Sequence, residues 1–367
     1  MLSEFREVNR LFRKKRPIED SCTHCEAFVQ GGLLEVAIPA FRCRHDAEGS
    51  CIMCNYGSGV PIHSRKILES QFDVIVSAMG DKLEILILCT NGSFFDDKNV
   101  PPDVQRSLLA RAQDSSASMI IIETHLDTLL PDKLQLVRDY IPSKTVILEI
   151  GLESSDPFTQ KYCYLKEISL DKLTTVMKNA QKMGLMFQLN VILGAPFLSA
   201  ADQMKDAERT IRWGLAHDSL IALFPMNIKP YTLLYYAYLH GIYRPISHWA
   251  MPLLLNSFSS EELGKIDLAW YGNRQSQYEE PEIRTIFPRD CPSCHQMLQD
   301  FYKAYVLTED GIERQALVKQ VLFNGMEQCT CMEQEKDSWR LDSVPRKEHV
   351  FRLHRALLNA LRSDHLV

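Results

Sequence analysis

"LLEVAIPAFRCRHDAEGSCIMCNYG", residues 33 to 57, runs a short apolar segment into a loop holding Cys43, Cys51 and Cys54 in the spacing C-x7-C-x2-C. The segment "LLEVAI" (33–38) has the continuous apolar character of a strand buried on both faces of a parallel sheet. Three cysteines are an awkward set, because structural zinc normally takes four protein ligands and disulfides take pairs. Three thiolates leave one coordination position empty. Spacing alone leaves two readings open: an iron–sulfur cluster with one open iron, or a zinc loop that borrows a fourth ligand such as His45 or Cys25.

Working outward, the strand-like pattern recurs in "KLEILILCT" (82–90), "SMIIIET" (118–124), "KTVILEIGLES" (144–154), "LMFQLNVILG" (185–194) and "SLIALFPM" (219–226). Amphipathic helices lie between these runs. In "SLDKLTTVMKNAQKMG", Ser169 is placed to cap the start and Gly184 the stop, with Leu173, Val176, Met177, Ala180 and Met183 on one stripe. In "SAADQMKDAERTIRWGL", Ser199 and Asp202 read as a capping box, with Met204, Ala207, Ile211 and Leu215 facing inward. Six βα units in succession predict an α/β fold, a partial (β/α)6 TIM-like barrel. The pattern decays after about residue 245, so eight units are not expected. The division that follows is an N-terminal extension (1–32), the partial barrel (33–255), and a C-terminal domain with cysteine pairs (256–367).

Composition narrows the classes. The 367 residues are 46% hydrophobic and 24% charged, as in soluble globular proteins, and 41 basic against 47 acidic residues give a net charge of -6. There is no global electrostatic pull toward nucleic acid, although a local basic face stays open. The start "MLSEFREVNRLFRKKRP" lacks a signal-peptide core, and no apolar run reaches membrane-spanning length. A cytoplasmic location without a membrane partner is expected. In that reducing setting the eleven cysteines read as ligands before disulfides. "CPSC" (291–294) and "CTC" (329–331) offer the four thiolates Cys291, Cys294, Cys329 and Cys331, enough for a closed zinc site or a second Fe–S cluster. Cys22 and Cys25 could replace a pair in either, whereas Cys89 and Cys163 read as buried core thiols. In the basic tail, Val350, Leu353, Leu357 and Leu361 form a helical stripe that suits docking.

The segments "CIMCNYG", "LCTNGSFFDD", "IIET", "LEIGLES", "VILGAPFLS", "FPMNIKPYTLL", "YRPISHWA" and "CTCMEQEKDSW" resemble radical SAM enzymes in the same order. The likeness runs from about residue 35 to 340 and is nearest to the group of the archaeosine-forming tRNA enzyme and the elongator catalytic subunit. The resemblance implies that Cys43, Cys51 and Cys54 anchor a [4Fe–4S] cluster whose open iron chelates S-adenosylmethionine. One electron, from a reductant such as flavodoxin or ferredoxin, then yields a 5′-deoxyadenosyl radical. It also implies Tyr56 beside the adenine, and Thr90, Asn91, Gly92 and Ser93 at the methionine moiety. Glu153 falls at a strand end where a carboxylate meets ribose hydroxyls or an ammonium, and Gly194 in the segment passing the adenine. Glu123 and His125 fall at the active site, with His125-Leu126 standing where these relatives carry Arg-Pro. That departure and the acidic net charge favour a small-molecule biosynthetic substrate, with His125 and Lys229 placed to hold its carboxylate or phosphate. A tRNA-modifying enzyme of archaeosine type is the first alternative. A non-catalytic zinc-binding α/β scaffold is the second.

Overall fold

The computed structural model describes residues 1–15, 25–40, 43–55, 62, 64–90, 92–269, 284–328, 330–340 and 344–367. Its centre is one eight-stranded sheet in the order β1 to β8, curled into a half-barrel. β1 (Glu26–Gln30) turns back antiparallel on β2 (Leu33–Ile38). From there β3 (Ile85–Thr90), β4 (Met119–Thr124), β5 (Thr145–Glu153), β6 (Met186–Leu193), β7 (Leu220–Pro225) and β8 (Ile266–Leu268) each pair in parallel with the preceding strand.

Helix α1 (Leu2–Lys14) precedes the sheet, and the single turn α2 (Arg44–Ala47) lies within the cysteine loop. The crossovers are α3 (Arg65–Met79), α4 (Pro102–Asp114) and α5 (Pro131–Tyr140). Between β5 and β6 the turn α6 (Pro157–Thr159) continues into a π-helical turn, Gln160–Tyr164, before α7 (Leu170–Lys182), and α8 (Ala200–Ala216) joins β6 to β7. Then come α9 (Leu233–Leu239), α10 (Ala250–Leu255) and α11 (Ser260–Leu263). After β8 follow α12 (Pro292–Val306), α13 (Gly311–Gln328), α14 (Cys331–Arg340) and α15 (Arg346–Ser363).

Alternation along the strands separates two environments. Leu34, Val36, Leu86, Leu88, Ile120, Ile122, Val146, Leu148, Leu189 and Val191 are buried on the convex face, against Phe72, Leu108, Val137, Leu173, Met177 and Ile211 of the helices. Each such aliphatic contributes about 1.5–3 kcal/mol, so this layer carries the stability of the half-barrel. The opposite parity puts Glu35, Cys89, Glu123, Glu149, Glu153 and Asn190 on the concave face. Glu123, Glu149 and Gln188 stand abreast in register there.

All six expected strands are present, and two more flank them. β8 comes from beyond residue 255, so the sheet crosses the expected boundary. Three residues, "IDL", are too short to display a strand period in sequence. The caps also differ in detail. Ser169 and Ser199 cap their helices through the backbone N–H groups of Lys172 and Asp202. The Asp202 carboxylate, however, accepts from Ser199 Oγ at 3.0 Å, so the pair is not a reciprocal box. The reciprocal box is Ser259/Glu262, at the start of α11. The tail docks as its stripe predicted: Val350, Leu357 and Leu361 of α15 are buried in a second core with Phe5 and Val8 of α1, and Leu353 is half-buried. Among the described residues no helix is long and apolar enough to cross a membrane.

Candidate active site at the strand mouth

The cysteine loop leaves the C-terminal end of β2, and α1 grips it from outside. Arg13 donates through Nη2 to the carbonyls of Ser50 (2.7 Å), Cys51 (2.7 Å) and Cys54 (2.9 Å), and pairs through Nη1 with Asp46 at 2.5 Å. Asn9 donates to the Gly49 carbonyl at 3.1 Å and accepts from the Leu233 N–H at 2.9 Å, linking the loop to α9. Gly49 permits this contact, since its φ is +77° and a Cβ there would lie 2.1 Å from the Arg6 carbonyl oxygen. The N-terminal segment is therefore part of the site's frame.

Cys43 and Cys51 are buried and Cys54 half-buried. Burial pushes the Cys43 thiol up to about 11, with the Cys54 charge adding to it. Burial likewise raises Cys51 well above the ordinary range. A metal group must therefore displace protons to bind here. Among the described residues, the metal-ligating side chains that converge in threes within 4.8 Å are Cys291, Cys294 and Cys331. The loop thiols do not converge so tightly. One zinc, with bonds of about 2.3 Å, draws its sulfurs to within roughly 4 Å of each other. The wider loop set thus fits a multi-iron cluster better than a single ion. His45, the alternative fourth ligand, packs its ring against His125 instead, 5.0 Å between centroids.

The loop opens on a cavity of about 230 Å³ that is partly open to solvent. Cys43, Cys51, Cys54, Thr90, Gly92, Glu123, His125, Glu153 and Lys229, all singled out from sequence, line it together. Tyr56 and Asn91 fall outside the described residues. Ser93 is not among the lining residues. Fully buried, its hydroxyl bonds Thr124 Oγ1 (2.8 Å) and Thr128 Oγ1 (2.6 Å) and accepts from the His125 N–H (3.0 Å), so it ties β3's loop to β4's. Gly194 sits one layer out. Its φ is +108°, a Cβ would meet Met226 Cβ at 2.9 Å, and its carbonyl accepts from the Tyr243 hydroxyl at 2.7 Å.

Three features of the chamber escaped the sequence. Glu153 is held by Lys166, whose ammonium donates to Oε2 (2.8 Å), Oε1 (3.0 Å) and the Gly151 carbonyl (2.6 Å). Burial works against the Lys166 charge, but Glu153 and Cys51 outweigh it and its pKa rises. Burial, with Lys166 adding, lowers His45 to about 4 and drives His125 well below its usual value. Glu149, whose only sequence signal was its position in a strand, is raised to about 7 by burial, against a hydrogen bond from Asn190 and with Glu35 adding.

The second cysteine set lies between helices. Cys291 caps α12, its sulfur is 3.3 Å from that of Cys294, and Cys331 begins α14. Hydrogen bonding from Cys294 lowers Cys291 to about 6, assisted by Cys331 and by backbone N–H groups, against a burial effect. This set has the compactness of a single-ion site. Cys329 and Cys22 fall outside the described residues. Cys25 stands apart from the set, and burial raises it to about 12. Cys163 is a buried wall residue, and Cys89 lies on the concave face near Glu35 (3.5 Å).

No protein-family model matches the chain. In sequence it is 23% identical over 297 residues to archaeosine synthase subunit beta of Methanosarcina acetivorans, covering 77% of this chain and 80% of that protein. In structure it overlaps the N-terminally truncated Elp3 of the archaeon Methanocaldococcus infernus with a TM-score of 0.47, at 12% identity. That match spans 76% of this chain and 65% of the other, just under two thirds of its length. It also overlaps coproporphyrinogen III oxidase from Escherichia coli, a radical SAM enzyme, with a TM-score of 0.34 at 14% identity over 48% of this chain and 41% of that one. The chain thus combines sequence likeness to archaeosine synthase subunit beta along most of its length with a C-x7-C-x2-C loop at the mouth of a parallel half-barrel.

Proposed function

We propose that the protein is a radical SAM enzyme acting on a base carried by tRNA, with Cys43, Cys51 and Cys54 holding the cluster. The observation that carries the chemistry is the loop itself: three thiols beside one cavity, spaced too widely for a single ion. When bound, the cluster and S-adenosylmethionine supply reductive cleavage of the sulfonium to a 5′-deoxyadenosyl radical. The chain's own residues do the rest. Arg13 and Asn9 hold the loop carbonyls so that the thiols keep their places. Thr90 and Gly92, joined by a 3.0 Å bond from the Gly92 N–H to the threonine hydroxyl, leave room for a small charged ligand near the cluster. Glu123 and Glu149 present carboxyl groups on the cavity floor, and Glu149 is able to hold a proton near neutrality. A flavodoxin or ferredoxin in the cytoplasm would supply the electron.

The likeness to archaeosine synthase subunit beta supports the tRNA substrate, and Lys347, Arg352 and Arg355 stand exposed on α15 for phosphates. The small-molecule reading keeps one observation in its favour, because neighbouring cations are already engaged. Arg346 pairs with Asp156 (3.2 Å), Arg362 with Glu4 (3.8 Å) and Arg289 with Glu335 (4.0 Å). Release of 5′-deoxyadenosine by reduced, anaerobic protein separates the two. Stimulation by bulk tRNA, lost in the Arg352→Glu/Arg355→Glu variant, supports tRNA. Indifference to tRNA with stimulation by a nucleic-acid-free metabolite extract supports the small molecule. The compact set of Cys291, Cys294 and Cys331 is read as a structural zinc site, with Cys329 available as the fourth ligand. An iron-to-zinc ratio separates both readings from a zinc-only scaffold, which would contain no iron.

A further inference from the structure

The Lys166–Glu153 pair occupies the cavity at the cost of strained backbone on both sides. Its side chains are 7% and 12% exposed. Glu153 has φ of +59°, at the irregularity where the β5–β6 register shifts between Gly151 and Glu153. Lys166 follows the π-helical turn and Leu165, whose φ is +55°. Neither residue is a glycine, and both π-turns and left-handed non-glycine residues persist where the surroundings over-determine them, commonly at functional sites. The π-turn is tied to the cysteine loop as well, since the Ile52 N–H donates to the Tyr164 carbonyl at 3.3 Å. A buried ion pair is weak evidence for stability, so its placement asks for another explanation.

Position supplies one. Lys166 lines the same cavity as Cys43, Cys51 and Cys54. The pair is almost fully buried and the turn before it is hydrogen-bonded to the cysteine loop, so solvent screens its charges little from that loop. Arg44 and Lys172 are 49% and 45% exposed and both are engaged with Asp127, so solvent screens them, whereas the buried Arg13 on the loop's other side is paired with Asp46.

We infer that Lys166 is a positioning residue for electron uptake: its buried ammonium, braced by Glu153 in the cavity that Cys43, Cys51 and Cys54 also line, makes the cluster held by that loop easier to reduce. This rests on the reading of the loop as a cluster anchor. One-electron reduction adds one negative charge beside the thiolates, and a desolvated cation favours the reduced state over the oxidised one. Glu153 partly offsets that field while fixing where the ammonium points. Removing either partner should therefore move the reduction potential in opposite directions, which a merely bracing pair would not do.

The test uses the full-length protein with its cluster, prepared without air as wild type, Lys166→Met, Lys166→Arg and Glu153→Gln. Iron per chain is measured first. The midpoint potential is then read by a dithionite titration, the source of the electron, followed by electron paramagnetic resonance. The midpoint should fall in Lys166→Met, rise in Glu153→Gln, and stay near wild type in Lys166→Arg. Unmoved midpoints in cluster-loaded variants, or shifts of the same sign, overturn the inference. If Lys166→Met retains no cluster, Glu153→Gln against wild type decides, and an unchanged or lowered midpoint there overturns it. A wild type that binds no iron refutes the cluster reading itself, a distinguishable failure.

Discussion

The molecule carries two groups of cysteines that look alike in sequence and are built on opposite physics. The loop set, Cys43, Cys51 and Cys54, opens on a cavity, its three sulfurs do not all lie within 4.8 Å of one another, and burial raises Cys43 to about 11. The set of Cys291, Cys294 and Cys331 is compact, sits at helix starts, and has Cys291 lowered to about 6, foremost by a hydrogen bond from Cys294. Desolvation governs the first, and local hydrogen bonding the second. One lies open beside a cavity, and the other is closed between helices.

The largest expected effect separates the two sets outright. Replacing Cys43, Cys51 and Cys54 together by alanine should abolish the roughly four iron atoms per chain of the loop site and leave the C-terminal metal in place. Metal analysis of the anaerobically purified variant decides. Equal iron in variant and wild type would break the comparison by showing that the cluster sits elsewhere. Next in size, Cys291→Ser/Cys294→Ser should lose one zinc and destabilise α12 to α14, because binding energy at such a site is folding energy. The cost should stay below the roughly 10 kcal/mol typical of isolated zinc units. Leu298, Phe301, Tyr302 and Tyr305 already bury α12 against the main core. Hydrogen exchange checks this, and unchanged protection in α12 and α13 would leave the second set without a structural role.

A third effect tests how the loop is held. Arg13→Ala removes one partner of a buried ion pair and the donor to four loop carbonyls, Asp46, Ser50, Cys51 and Cys54. A loss of about 3–5 kcal/mol is expected, since Asp46 is left as an uncompensated buried charge. Chemical denaturation measures it. A loss below 1 kcal/mol would mean that α1 is an accessory to the loop.

The difference between the two sets also explains what was legible beforehand. Periodicity exposed all six central strands, and the order of short segments exposed the cluster loop, because both are local patterns. β1 and β8 carried too little pattern to read at the sheet's edges. Lys166 was invisible for another reason. Its neighbours "YLKEIS" carry no motif, and its place depends on a π-turn and a left-handed residue that no period encodes. Ser93 and His125 were read from a motif as cofactor and substrate contacts. In the structure Ser93 is fully buried and bridges Thr124 and Thr128, and His125 lines the cavity with its pKa lowered by burial. Nothing in a one-dimensional motif reports desolvation.

The smallest effect follows from that desolvation and concerns the chamber floor. Burial, with Glu35 adding to it, holds Glu149 near 7 against an ordinary value of 4.5, despite the hydrogen bond from Asn190. The folded state therefore favours the protonated form. For a carboxyl raised on folding, the favourable contribution is fully present below 4.5 and is lost as pH climbs through about 7. Glu149→Gln keeps the neutral shape and removes the titration. The variant should match wild type near pH 4 and become more stable than it by about 1–3 kcal/mol toward pH 8, as linkage requires for a shift of this sign. Urea denaturation across that range is the measurement. The opposite trend, wild type gaining on the variant as pH rises, would mean that the carboxylate is compensated in its charged form. Desolvation would then not govern the chamber, and the contrast with the C-terminal cysteines would fall with it.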